Sequence, residues 1–257
     1  VRVHFLGTGT SFGIPQIGCS CRVCTSTDPR DRRGRAGIAV EDGSSVLLVD
    51  TPTELRLGLV RAGLKSVSAV LYTHDHADHV HGIDDLRALS GGERGPIPVY
   101  GPPDTLERLR LRFDYIFDPD VPPLPGSARA SVTLVPLEAG RPVSVAGLTV
   151  LPLAFDHGGT LVYGYRFGDL AYLTDVKEVG AEARRALTGV RVLVLNALFH
   201  HPHPTHLSIP EAVETARAIG AERTYLTHLT HRTAHADLEA ELPPEVRPAH
   251  DGLVLEV

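Results

Sequence analysis

The stretch Thr73-His74-Asp75-His76-Ala77-Asp78-His79 places three imidazoles and two carboxylates within seven residues. Imidazole and carboxylate are natural ligands for divalent zinc, manganese or iron. One ion rarely takes four side chains from so short a loop, because their directions diverge. Two neighbouring ions can: His74 and His76 for the first, Asp78 and His79 for the second. The competing reading is an exposed, solvated His/Asp loop. The stretch follows Ser68-Ala69-Val70-Leu71-Tyr72, an apolar run that reads as a buried strand. The candidate ligands therefore stand at the carboxyl end of a strand, where α/β sheets commonly bind.

A second cluster, Cys19-Ser20-Cys21-Arg22-Val23-Cys24, contains all three cysteines of the chain. An odd number packed this closely is a poor disulfide framework. A C-x-C-x-x-C knuckle suits a structural zinc whose fourth ligand comes from elsewhere, with His231 and His235 as candidates. A reduced or redox-active thiol cluster is the alternative. Downstream, Arg30, Arg32, Arg33 and Arg35 crowd a turn-rich stretch. They read as a solvated loop or as guanidinium forks for a phosphate, with Arg33 and Arg35 favoured because they adjoin the next strand. Gly7-Thr8-Gly9-Thr10-Ser11 is a weak phosphate-cradle signal, lacking the lysine of a P-loop. Asp50 ends an apolar strand, where it can cap the next helix or accept from a metal-bound imidazole of the His74 loop. Among the histidines of the 200–206 loop, His206 is best held, standing just before Ser208 and a helix. It is the candidate proton donor. His81, His200, His201, His203 and His235 read as surface residues.

The spacing H-x-H-x-D-H resembles the signature of the metallo-β-lactamase fold superfamily. That resemblance implies three more ligands at strand ends, and His157, Asp175 and His228 follow apolar strand-like runs in the required order. One ion would take His74, His76 and His157, the other Asp78, His79 and His228, with Asp175 bridging. Two such ions lie about 3.5–4 Å apart and acidify a shared water for attack on an electrophile. Asp78 and His206 are the expected catalytic residues. Redox di-iron relatives carry Glu at the position of His76, so a His there points to hydrolysis.

Gly7-Thr8-Gly9-Thr10-Ser11, Ile14-Pro15, the cysteine knuckle, Thr205-His206, Thr227-His228-Leu229-Thr230-His231 and His250-Asp251-Gly252 narrow the resemblance to PhnP-type phosphodiesterases. This likeness spans almost the whole chain. It implies hydrolysis of a small phosphodiester, cyclic ribose or nucleotide in type, by two divalent ions (Zn, Mn or Fe). It further implies a structural zinc on Cys19, Cys21, Cys24 and His231, and a homodimer. The knuckle is shared by coenzyme-synthesis relatives of the PqqB type, a non-hydrolytic alternative. The metal ligands are shared by ribonuclease Z, although no long Gly/Lys-rich arm interrupts this sequence.

The remaining sequence must position these groups. The 257 residues, 42% hydrophobic and 22% charged, suit a globular α/β chain. One domain is expected over 1–257, with the zinc-knuckle insertion at about 17–36. A formal charge of −6 argues against a surface built for long nucleic acid. No apolar window approaches the ~18 residues of a membrane span, and no basic-then-apolar leader opens the sequence. A cytoplasmic protein with no membrane partner is expected. Met is absent and Asn occurs once, a bias that fits either a thermophile or a GC-rich genome. Strand-rich segments interrupted by helices occur in both halves, with helices expected near 55–63, 82–89, 102–113, 179–187, 209–219 and 234–242. The stretch 118–127 is expected to be irregular. The pattern suits two sheets face to face with helices outside, the four-layer αβ/βα sandwich that the resemblance implies.

Overall fold

The computed structural model describes residues 1–123 and 125–257. Two seven-stranded sheets face each other. The first contains β1 (Arg2–Gly7), β2 (Gly37–Asp42), β3 (Ser45–Val49), β4 (Ala69–Leu71), β5 (Ile97–Gly101) and β6 (Val132–Pro136). The second contains β7 (Val143–Val145), β8 (Leu148–His157), β9 (Thr160–Phe167), β10 (Leu170–Leu173), β11 (Val192–Asn196), β12 (Arg223–Thr227) and β13 (Val246–Pro248). The last strand, β14 (Val254–Glu256), returns to the first sheet and pairs with β1 at its edge. Strands β3 to β6 are mutually parallel, as are β10 to β13.

The alternation of side chains across each strand builds the layers. Val3, Phe5, Leu47 and Val49 meet Tyr165, Tyr172, Val192 and Val194 in the core between the sheets. Leu48, Val70 and Val99 point the other way, onto α1 (Leu55–Ala62) and α3 (Pro103–Arg112) through Leu55, Leu59, Leu106 and Leu109. On the opposite outer face, Leu173, Leu193, Leu195 and Leu226 pack against α6 (Ile209–Ile219) and α7 (His235–Glu241) through Ala212, Ala216 and Leu238. Strands covered on both faces read as continuous apolar runs. The result is the four-layer αβ/βα sandwich.

Several boundaries differ from expectation. The segment expected as a helix at 82–89 is a 3₁₀ helix over Ile83–Ala88, entered at Gly82, where a Cβ would lie 2.2 Å from the Pro52 carbonyl oxygen. The His74 motif holds a single helical turn, α2 (Ala77–Val80), which the sequence reads as loop. Two further short helices are α4 (Asp114–Phe117) and α5 (Ala181–Ala186). Capping places α6 where it is expected: Ser208 and Glu211 form a capping box and Gly220 is left-handed at the end. Among the described residues of 118–127 there is no strand or helix; Leu124 lies outside the described residues. Among the described residues no helix is long and apolar enough to cross a membrane.

Candidate metal centre

The parallel strands bring their carboxyl ends to one edge of the sandwich. Asp50 follows β3, the His74 motif follows β4, His157 ends β8, Asp175 follows β10 and His228 follows β12. Ligand atoms of His74, His76 and His157 all lie within 4.8 Å of one another, and so do those of Asp78, His79 and His228. Asp175 reaches both sets: its Oδ2 is 3.2 Å from His79 Nε2 and its Oδ1 3.3 Å from His228 Nε2 in the second, and it groups with His74 of the first. Three residues of this edge, Asp50, Asp175 and His228, have φ of 66°, 56° and 57°. A non-glycine residue held there costs about 1–3 kcal/mol, and such positions cluster at functional sites.

Hydrogen bonds aim the rings. Asp50 Oδ2 accepts from His79 Nδ1 at 2.8 Å and from Thr73 Oγ1 at 2.9 Å. Thr73 Oγ1 in turn accepts from His74 Nδ1 at 2.9 Å. One buried carboxylate thus orients two imidazoles, the first directly and the second through a threonine that the sequence analysis did not single out. His157 Nδ1 donates to the Thr205 carbonyl oxygen at 2.9 Å. These bonds suit rings that carry their proton at Nδ1 and offer Nε2 to an ion. Nε2 of His74, His79 and His228 is buried with no hydrogen-bond partner. Buried polar atoms are ordinarily satisfied, and orphaned imidazole nitrogens in both ligand sets fit divalent ions. Asn196, the sole asparagine, accepts from Val176 N at 2.8 Å and so fixes the turn carrying Asp175.

Burial opposes the charge of Asp78 and Asp175, yet neighbouring His79 and His228 hold both well below the usual carboxylate range. Burial pushes His74 well below the usual imidazole value, with His79 adding to the effect. The edge therefore presents ionised carboxylates beside a neutral His74 ring. His76 is exposed and forms the open side.

His206 joins the site. Its Nε2 lies 2.8 Å from Asp175 Oδ1, its Nδ1 2.8 Å from Thr205 Oγ1, and its ring stacks on His228 at 4.9 Å. It also converges with His157 and Asp175 as a possible ligand set. His200 and His201 are exposed and His203 is half-buried. Other candidate residues are engaged in contacts within the chain. Arg33 is buried, donating to Thr8 Oγ1 and the Ala249 carbonyl oxygen, with Nη2 3.1 Å from His235 Nδ1. Its guanidinium ties the segment after β1 to the segment after β13. Arg35 pairs with Glu54 and donates to the Ser11 carbonyl oxygen. His235 is buried, not a surface residue; burial, with Arg33 beside it, pushes it down to about 4. The glycine-rich turn is a tight crossing: a Cβ on Gly7 would meet the Arg35 carbonyl oxygen at 2.0 Å.

The cysteine knuckle resolves the choice between His231 and His235. His231 Nδ1 lies 3.3, 3.5 and 3.4 Å from the sulfurs of Cys19, Cys21 and Cys24. Zinc–sulfur and zinc–nitrogen bonds of ~2.3 and ~2.0 Å at a tetrahedral angle would separate the ligand atoms by about 3.5 Å. The four residues fit a structural zinc.

The fold and this edge define a class. The family model described as a beta-lactamase superfamily domain matches residues 42–229. A crystal structure of a diphosphatase from the PhnP family superposes with a TM-score of 0.91 at 37% identity, covering 100% of this chain and 97% of that one. The chain belongs to the beta-lactamase superfamily and, within it, to the PhnP family. An octanoyltransferase of Porphyromonas gingivalis is 38% identical across 98% of this chain. The chain spans only 51% of that protein, about half its length. Coenzyme PQQ synthesis protein B of Methylobacterium radiotolerans is 30% identical over 78% of this chain and 74% of that protein.

Proposed function

We propose that the protein is a metal-dependent phosphodiesterase acting on a small phosphodiester, of the cyclic ribose or nucleotide type. The observation that carries this reading is the convergence of His74, His76, Asp78, His79, His157, Asp175 and His228 with buried, unpartnered Nε2 atoms among them. Two divalent ions, when bound, supply Lewis acidity and a water acidified to near neutral pH. Asp175 lies against His79 and His228 of the second set and groups with His74 of the first, and Asp50 keeps His79 and His74 in the tautomer that binds. His206 presents Nε2 to Asp175 Oδ1, which favours a proton at that nitrogen. Burial lowers its pKa below the usual imidazole value, so a protonated ring gives its proton up readily to a leaving oxygen. The PhnP-family neighbour is a diphosphatase. A diphosphate linkage is therefore the second bond to test within the same chemistry.

A metalloprotein of coenzyme synthesis that does not hydrolyse its ligand is the competing reading, favoured by the likeness to coenzyme PQQ synthesis protein B. Hydrolysis of bis(p-nitrophenyl) phosphate separates the two. Protein loaded with zinc, manganese or iron is expected to release p-nitrophenolate, and chelation should abolish the release. No turnover with any of the three metals would favour the second reading.

A further inference from the structure

The candidate ligand sets leave one acidic group of the His74 motif unused. Asp75 belongs to none of them. Its side chain is only 6% exposed, and it turns to α3 instead. Asp75 Oδ2 accepts from Arg112 Nη2 at 2.9 Å and Oδ1 from Arg108 Nη1 at 3.2 Å. Arg112 Nη1 also donates to the Asp75 carbonyl oxygen. Four residues apart, the two arginines share one face of the helix. That helix is anchored by Leu106 and Leu109, which pack in one cluster with Val80, Ile83 and Leu86. Past the motif, His81 packs edge-on against Phe113, at the end of the same helix, at 6.0 Å. One helix turn therefore grips the ligand segment on both sides of His76.

His76 needs such a grip. The rings of His74, His79 and His157 are each fixed by a hydrogen bond at Nδ1. Among the described residues no hydrogen bond is made by the exposed ring of His76, which has only edge contacts with His74 at 4.4 Å and His157 at 5.3 Å. Its direction is set by its backbone, and its backbone is set by the residue before it.

We propose that Arg108 and Arg112 are positioning residues that act through Asp75 to hold His76 in line with His74 and His157. This inference rests on the metal-dependent reading above. The guanidiniums neutralise a buried carboxylate that would otherwise pull toward solvent or toward the cations, and their forked geometry resists rotation of the peptide.

The test is metal retention of the full chain after dialysis against a competing chelator, with thermal midpoint and kinetics measured alongside. Parent protein should keep its active-site ions. Arg108→Ala combined with Arg112→Ala should weaken retention of one ion about tenfold, the scale of lost outer-sphere support. The knuckle zinc should be unchanged, and kcat should fall with little change in KM. Arg112→Lys alone should restore part of the retention. A role in folding alone would lower the midpoint and leave retention untouched. Should the double variant not fold, Asp75→Asn should show the same loss. Equal retention in variant and parent overturns this inference alone, whereas a parent that holds only the knuckle zinc overturns the metal-dependent reading and this inference with it.

Discussion

His206→Ala is expected to lower phosphodiester turnover about a thousandfold, within the range of positioned acid–base groups, and to leave metal content unchanged. The ring is nearly buried and clamped from three sides: Asp175 at Nε2, the Thr205 hydroxyl at Nδ1 and the face of His228. Such a group keeps one orientation at little entropic cost, which is what transfer or donation of a proton to a departing oxygen requires. Removing it leaves Asp175 with its contacts to His79 and His228. The measurement is kcat beside metals per chain by emission spectroscopy. Unchanged turnover would remove the assigned role. Loss of an ion in step with turnover would make His206 a ligand, as its convergence with His157 and Asp175 allows.

The largest effect on stability is expected from Cys21→Ser. The Cys21 sulfur accepts from Cys24 N, the main cause that draws its pKa down to about 6 and favours the thiolate a metal needs. The knuckle has little core of its own: Ile14, Val23, Cys24 and Ala234 form its small apolar cluster. Zinc binding is therefore coupled to ordering this segment. Its loss should cost about 4 kcal/mol, equivalent to roughly 10 °C in a chain of this size. About one zinc per chain should disappear with it. Equal zinc content and an equal midpoint in variant and parent would rule out the structural zinc.

Much of this was legible in the sequence because ligand chemistry constrains spacing. The His74 motif, His157, Asp175 and His228 each follow an apolar run, and each run is a strand whose carboxyl end reaches the same edge. Asp50 was legible as a charge that an apolar strand cannot leave unpaired. The arginines were not. Arg33 and Arg35 adjoin a strand just as phosphate-binding residues would, but the burial of Arg33 depends on where the carboxyl-terminal segment crosses, and the partners of Arg35 are Glu54 and Ser11. The pairing of Asp75 with Arg108 and Arg112 spans 33 and 37 residues and carries no local signal beyond the i, i+4 spacing on α3. Strand β13 was missed because three residues, Val246–Pro248, show too little alternation to be read.

The most direct measurement is anomalous X-ray scattering from crystals of zinc-loaded protein. Two peaks are expected at the metal edge, one amid His74, His76 and His157 and one amid Asp78, His79 and His228, with Asp175 between them. A third peak is predicted among Cys19, Cys21, Cys24 and His231. A lone peak at the knuckle, with none among the imidazoles, would contradict this expectation.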